Sequence, residues 1–241
     1  MMPGLLIFDC DGVLVDSETL SSQVLADFLT ELGYPLTAAE SVARFTGMSI
    51  SGVGLAIAAE GHGLPADFVD EVNRRADAVF DRDLKAVTGV AAVLAQLSGP
   101  RCVASSGRPA RIARSLRSTG LDRFFAPEVL FSAAMVARGK PAPDLFLHAA
   151  AAMGAAPADC VVVEDSMLGV QAARAAGMPV LGYAGAGHCG PDHADRLRAL
   201  GAAAVFDDMA RLPDLLATVT PPAAAGGRGA SRAGPVRTGR S

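Results

Sequence analysis

Short apolar runs and helical periodicities follow one another along this chain in a definite order. Leu5-Leu6-Ile7-Phe8, four apolar residues between Gly4 and Asp9, are too few for a helix and predict a buried strand. Ser17 then stands as an N-cap before Leu20, Val24, Leu25, Phe28, Leu29 and Leu32, which recur at helical spacing until Gly33. Thr37-Ala38-Ala39-Glu40 spells a capping box for a second helix. A loop is predicted over Phe45-Thr46-Gly47-Met48-Ser49, with Ser49 capping a third helix to about Glu60, and a fourth runs from about Ala66 to Asp83. Residues 17 to 85 therefore read as helical throughout. Beyond them the pattern changes. Arg101-Cys102-Val103-Ala104-Ser105, Val129-Leu130-Phe131, Cys160-Val161-Val162-Val163-Glu164, Val180-Leu181-Gly182-Tyr183 and Ala203-Ala204-Val205-Phe206 predict strands. Helices are expected over Val90 to Leu97, after Pro109, after Pro143 and from Met167 to Ala176. This alternation predicts an α/β fold, a Rossmann-like parallel sheet with helices on both faces. After about Leu216 acidic residues and periodicity stop, and residues 217 to 241, with Arg228, Arg232, Arg237 and Arg240, read as a disordered tail.

Composition narrows the partners. The 241 residues are half hydrophobic, enough for a full core, and carry 25 acidic against 21 basic side chains, a net charge of −4. No basic stripe marks a nucleic-acid surface. No apolar run reaches the ~18 residues of a membrane span, and the first strand begins too early for a signal peptide. Cys10, Cys102, Cys160 and Cys189 lack any metal-ligand spacing and are expected as reduced thiols in a cytoplasmic protein, monomeric or weakly dimeric.

Candidate chemistry sits where predicted strands end. Asp9 and Asp11 leave the first strand at its carboxyl end, where open α/β sheets bind ligands, and Gly12 permits a tight turn. Two acids so placed are costly unless paired, and a divalent cation is the usual partner. Ser105 ends the second strand ahead of Ser106-Gly107, and its hydroxyl with the following amides suits a phosphate oxygen. Glu164 and Asp165 end a third strand with hard oxygen ligands that suit Mg²⁺. Lys140 stands in a rigid turn, Gly139-Lys140-Pro141-Ala142-Pro143.

Asp9-Cys10-Asp11-Gly12-Val13-Leu14-Val15-Asp16 resembles motif I, DxDGxxxD, of the haloacid dehalogenase-like hydrolases. With Ser105, Lys140 and Glu164-Asp165 in the places of motifs II, III and IV, the resemblance runs from about Leu5 to Leu216. It implies that Asp9 is a nucleophile that forms an aspartyl-phosphate and Asp11 the general acid/base. The dehalogenase branch lacks an acid at the second position, so Asp11 speaks for phosphoryl transfer. Lys140 would neutralise charge on Asp9 and on the phosphoryl group. Mg²⁺ would be held by Asp9, Asp165 and the carbonyl of Asp11, with Glu164 direct or through water.

The resemblance also divides the chain into a core of residues 1–16 and 86–216 and a helical cap of residues 17–85. It is similar to the β-phosphoglucomutase-like branch, and within it to sugar-phosphate phosphatases, including those acting on 6-phosphogluconate. The expected substrate is a small phosphorylated metabolite, touched by Ser105, Ser106 and Lys140 and by Met48 and Ser49 from a cap loop over Asp9. Mutases of this branch carry a cap His and a cap Arg where this chain has Ser21 and Ile50, leaving only Arg44 nearby to compensate. A catalytically inactive binding module is the remaining alternative. Asp16 is expected at the hinge, Ser166 and Gly169 as helix-opening residues, and His188 and His193 on the surface.

Overall fold

A computed structural model describes residues 3–46 and 48–219. Its six strands, β1 (Leu5–Phe8), β2 (Arg101–Ser105), β3 (Leu130–Ser132), β4 (Cys160–Glu164), β5 (Val180–Tyr183) and β6 (Ala204–Phe206), form one parallel sheet in the order β3-β2-β1-β4-β5-β6. β1 lies inside the sheet, with Phe8 in register with Val103 on one side and Val163 on the other. The carboxyl ends of β1, β2 and β4 therefore share one edge.

Alternate residues of β1 feed two cores. Leu6 and Phe8 pack with Val103, Val161 and Val163 beneath α5 (Val90–Gln96), α6 (Pro109–Ser118) and α10 (Leu212–Val219). Leu5 and Ile7 pack with Cys102 and Val162 beneath α7 (Asp144–Ala152), α8 (Met167–Ala175) and α9 (His193–Ala199). Burial on both faces explains why these strands read as unbroken apolar runs rather than alternating ones. Helix α10 takes in Ala217 to Val219, so the expected tail begins three residues too early; the rest of that expectation lies outside the described residues.

Between β1 and α5 stand α1 (Glu18–Glu31), α2 (Ala38–Phe45), α3 (Ile50–Ala59) and α4 (Phe68–Asp83), with a core of their own around Leu25, Phe28, Leu29, Phe45, Val53, Ile57, Phe68 and Val72. Phe28 and Phe68 stack there at 5.8 Å. The capping box at Thr37 and Glu40 is present, and Ser49 accepts from Gly52 N at 3.0 Å. The two strands of chain joining this segment to the sheet pair with each other: Asp16 N donates to Lys85 O at 3.0 Å and Val87 N to Leu14 O at 2.9 Å. Beyond that junction the segment meets the sheet domain through Phe80 of α4, buried in the same core as Leu6 and Phe8, and through charge. Arg108, at the N-cap of α6, and Arg114 within it reach Asp77 of α4 at 3.7 and 3.4 Å, and Arg114 reaches Asp81 at 3.2 Å. Ser17 is not the cap expected of it: its backbone is already helical, and its hydroxyl is spent elsewhere. Among the described residues no single helix is long and apolar enough to cross a membrane.

Candidate active site

The site grows from the end of β1. Asp9 N donates to Val163 O at 3.0 Å, extending the ladder one residue past the strand and laying Asp9 beside the end of β4. The chain then turns at Gly12, whose φ of +79° favours glycine. Space demands glycine as well, because a Cβ there would fall 2.0 Å from Asp165 Oδ2. Asp9 and Asp165 are thus brought together by adjacent strand ends and a missing side chain.

Lys140 arrives from the turn before α7. Its ammonium donates to Asp9 Oδ1 at 2.9 Å and to Glu164 Oε1, and its side chain is almost fully buried above the Phe146 ring. The other Glu164 oxygen accepts from Ser166 N and Ser166 Oγ, both at 2.9 Å. Glu164 is completely buried and both its oxygens have donors, so here it steadies Lys140. Asp165 differs: Oδ2 meets His188 Nε2 at 3.1 Å, while Oδ1 is buried without a hydrogen-bond partner.

Asp11, two residues on from Asp9 and outside that group of acids, is held by two residues the sequence did not single out for it. Ser17 Oγ donates to its Oδ1 at 2.6 Å, and Arg111 Nη2 donates to the same oxygen at 3.1 Å while its guanidinium stacks 4.8 Å from the Phe80 ring. Ser105 is buried at the end of β2 and accepts from Gly107 N at 3.0 Å. The Gly107 backbone also runs close to Asp11, and Ser132 Oγ donates to Gly107 O at 2.6 Å to hold this loop. Ser106 is exposed. Met48 and Ser49 stand in the helical segment, Met48 exposed and Ser49 occupied with Gly52, apart from the hydrogen-bond network around Asp9.

His188 and His193 are not surface residues. Both are buried, and His193 Nε2 lies 2.7 Å from the Asp165 carbonyl oxygen. The glycines around them read as a solvated loop, but they let residues 184–192 fold back over the end of β4. Gly187 packs against Asp16 and Thr19 there. Gly169 also does more than open a helix, since a Cβ on it would sit 1.9 Å from the Glu164 carboxyl carbon.

Charge in this pocket is unbalanced. Burial raises the pKa of Asp9 well above the usual carboxylate range; Lys140 opposes this, and Glu164, Asp165 and Asp11 add to it. Asp165 is raised likewise, by burial first and then by Glu164 and Glu18, with Lys140 opposing. Burial pulls the Lys140 pKa down, but Asp9 and Glu164 together hold it above its ordinary value. One ammonium thus faces three buried acids whose ligand atoms lie within 4.8 Å of one another. A divalent cation fits this group: it would relieve the repulsion between Asp9 and Asp165 and give the orphaned Asp165 Oδ1 a partner.

A sequence model of the haloacid dehalogenase-like hydrolases matches residues 4–177, which include every one of these acids and Lys140. The chain belongs to that family. Among its haloacid dehalogenase-like relatives is the 6-phosphogluconate phosphatase of Escherichia coli, 32% identical over 213 residues, 87% of this chain and 93% of that protein. A haloacid dehalogenase-like protein of unknown function from Agrobacterium tumefaciens shares the fold with a TM-score of 0.82 and 44% identity, over 89% of this chain and 98% of the other. A family hydrolase from Deinococcus radiodurans, solved with bound phosphate and sodium, has a TM-score of 0.75 and 36% identity, over 89% and 95%.

Proposed function

We propose that this chain is a Mg²⁺-dependent phosphatase of small phosphorylated metabolites, sugar or sugar-acid phosphates, working through an aspartyl-phosphate on Asp9. The observation that carries this reading is the placement of Asp9. Its carboxylate ends an interior strand, touches a buried ammonium, and has a second acid two residues on that Ser17 and Arg111 hold in place. The phosphatase relative and the phosphate-bound neighbour support the same chemistry.

In the first step an Asp9 oxygen attacks phosphorus and the P–O bond to the alcohol breaks, the leaving oxygen taking a proton from Asp11. Asp11 then takes a proton from water, which attacks the acyl-phosphate; phosphate departs and the Asp9 carboxylate is restored. Lys140, held by Glu164, offsets charge on Asp9 and on the transferring oxygens, and Ser105 with the Gly107 loop receives a non-bridging oxygen. Mg²⁺, held by Asp9, Asp165 and the Asp11 carbonyl, would supply further charge neutralisation on the phosphoryl group. The helical segment acts as a cap that selects the substrate, and Arg108, Arg111, Arg114 and Arg117 line a cleft beside it with Asp77. Three of these guanidiniums already face carboxylates, Arg108 and Arg114 with Asp77 and Arg111 with Asp11, so an anionic substrate group would bind there only by displacing those partners.

The mutase alternative loses support at Arg44. Its guanidinium pairs with Glu60 at 2.6 Å and lies over the Tyr34 and Phe45 rings, engaged inside the cap. Phosphate release from a panel of phosphorylated metabolites tests the reading. Turnover should need Mg²⁺, stop with EDTA, and disappear in Asp9→Asn. Release of phosphate by Asp9→Asn at the wild-type rate would overturn it. So would rapid conversion of β-glucose 1-phosphate to glucose 6-phosphate, primed by glucose 1,6-bisphosphate, without phosphate release.

A further inference from the structure

Asp165 is gripped at both ends by a segment for which the proposed chemistry has no use. Between β5 and α9 the chain folds back so tightly that a Cβ on Gly187 would lie 3.0 Å from Thr19 Oγ1 and 3.2 Å from Asp16 Oδ2. That path sets the His188 and His193 rings edge to face, 5.6 Å apart, under the end of β4. His188 Nε2 stands 3.1 Å from Asp165 Oδ2, and His193 Nε2 stands 2.7 Å from the Asp165 carbonyl oxygen. The Asp165 carbonyl only accepts, so His193 carries its proton on Nε2 and donates it there, while the edge of the His188 ring packs against Oδ2 as a close polar contact and lies 3.7 Å from Cys189 Sγ. From the other side the Gly12 backbone closes on Oδ2. One carboxylate oxygen is therefore engaged and confined, and the other, Oδ1, is buried and unpartnered.

We propose that His188 and His193 form a clamp that fixes the Asp165 carboxylate with Oδ1 presented to the cation, making His188 a positioning residue for Mg²⁺ affinity. The proposal rests on the reading of Asp165 as a metal ligand. Its physical content is pre-organisation: a carboxylate free to rotate must be ordered when the cation binds, whereas a clamped one is already ordered. Partners that orient a metal-binding carboxylate typically influence metal affinity by about 10–100-fold. The two histidines also lie with Cys189 in a group whose ligand atoms fall within 4.8 Å of one another, so a softer metal bound by all three is the competing use of these side chains.

Isothermal titration of Mg²⁺ into metal-free wild type, His188→Leu, His188→Asn, His188→Gln and Asp165→Asn tests the clamp without reference to turnover, with thermal melts to establish folding. His188→Leu should raise Kd by about 10–100-fold. His188→Gln, whose amide nitrogen reaches nearly as far as imidazole Nε2, should stay within about threefold of wild type. His188→Asn is too short to reach Oδ2 and should behave like His188→Leu, which keeps the comparison available if a leucine is not tolerated. Wild-type Kd in folded His188→Leu or His188→Asn, with binding lost in Asp165→Asn, would overturn the clamp alone. Undiminished binding by Asp165→Asn would instead overturn the ligand reading beneath it. Tight Zn²⁺ binding to wild type that Cys189→Ser abolishes would make His188 a ligand and would also overturn the proposal.

Discussion

Replacing Gly169 by alanine should destabilise this protein, although the general rule for helices says the opposite. Gly169 is the third residue of α8, and exchanging a helical glycine for alanine is ordinarily worth about 0.8–1.0 kcal/mol of stability. Here the new Cβ would fall 1.9 Å from Glu164 Cδ and Oε1, far inside the ~3.5–4.0 Å at which carbon contacts are favourable. Glu164 is the far end of a flexible side chain, but it is fully buried and bonded to Ser166 N, Ser166 Oγ and Lys140. Moving it forfeits charge-assisted hydrogen bonds of about 1.5–3 kcal/mol each, and a buried pair fully broken costs about 3–5 kcal/mol. Lys140 keeps Asp9, so the losses do not add in full, and the net change should be about 3 kcal/mol of destabilisation. Urea unfolding of the metal-free protein reads this as a lower midpoint at unchanged slope. In a Glu164→Ala background the clash has no object, so Gly169→Ala should there become neutral or stabilising by up to about 1 kcal/mol. An unchanged or higher midpoint for Gly169→Ala in the wild-type background would refute the packing argument.

Arg111→Met should lower kcat/KM by about 10–100-fold, the loss of one charge-assisted bond to Asp11, and Arg111→Lys should not rescue it because a lysine cannot stack on Phe80 and bond Asp11 at once. Steady-state kinetics on the best substrate would show this; a rate within twofold of wild type (about 0.4 kcal/mol) would remove Arg111 from the site. Asp77→Asn combined with Asp81→Asn removes ion pairs that are largely exposed, so stability should change by less than about 1 kcal/mol, while the salt dependence of KM should flatten if these pairs hold the cap against α6. Burial pushes the thiol of Cys102 up to about 12, that of Cys160 to about 11 and that of Cys189 to about 12, and it raises Cys10 as well. Since the thiolate is the reactive form, native protein at pH 8 should resist a disulfide reagent that titrates all four cysteines after denaturation. Fast stoichiometric labelling of the native protein would contradict that.

The parts of this structure that were legible in the sequence share a cause, and so do the parts that were not. A strand buried on both faces must be an apolar run, and a polar residue that ends such a run lies at the sheet edge, so Asp9, Ser105, Glu164 and Asp165 declared their neighbourhood through pattern alone. The parallel pairing of β1 with β2 and β4 then turns three separate chain positions into one place. Arg111 had no such signature: it is one of four arginines at three-residue spacing, Arg108, Arg111, Arg114 and Arg117, and only the packing of α6 against Phe80 directs that one to Asp11. Ser17 looked like a helix cap because a serine before an apolar periodicity usually is one, yet a competing acceptor six residues back took the hydroxyl. His193 and the carbonyl it meets are 28 residues apart, joined by a glycine-rich return with no periodicity of its own. A charge count does point toward these residues. Three acids buried around one lysine are costly, so some of their oxygens must find donors beyond Lys140, and a buried oxygen left without one is suited to a cation. Glu164 finds Ser166, Asp9 keeps Lys140 on Oδ1, Asp165 Oδ2 lies against His188, and Asp165 Oδ1 stays fully buried without a donor; Asp11, outside this group, is held by Ser17 and Arg111.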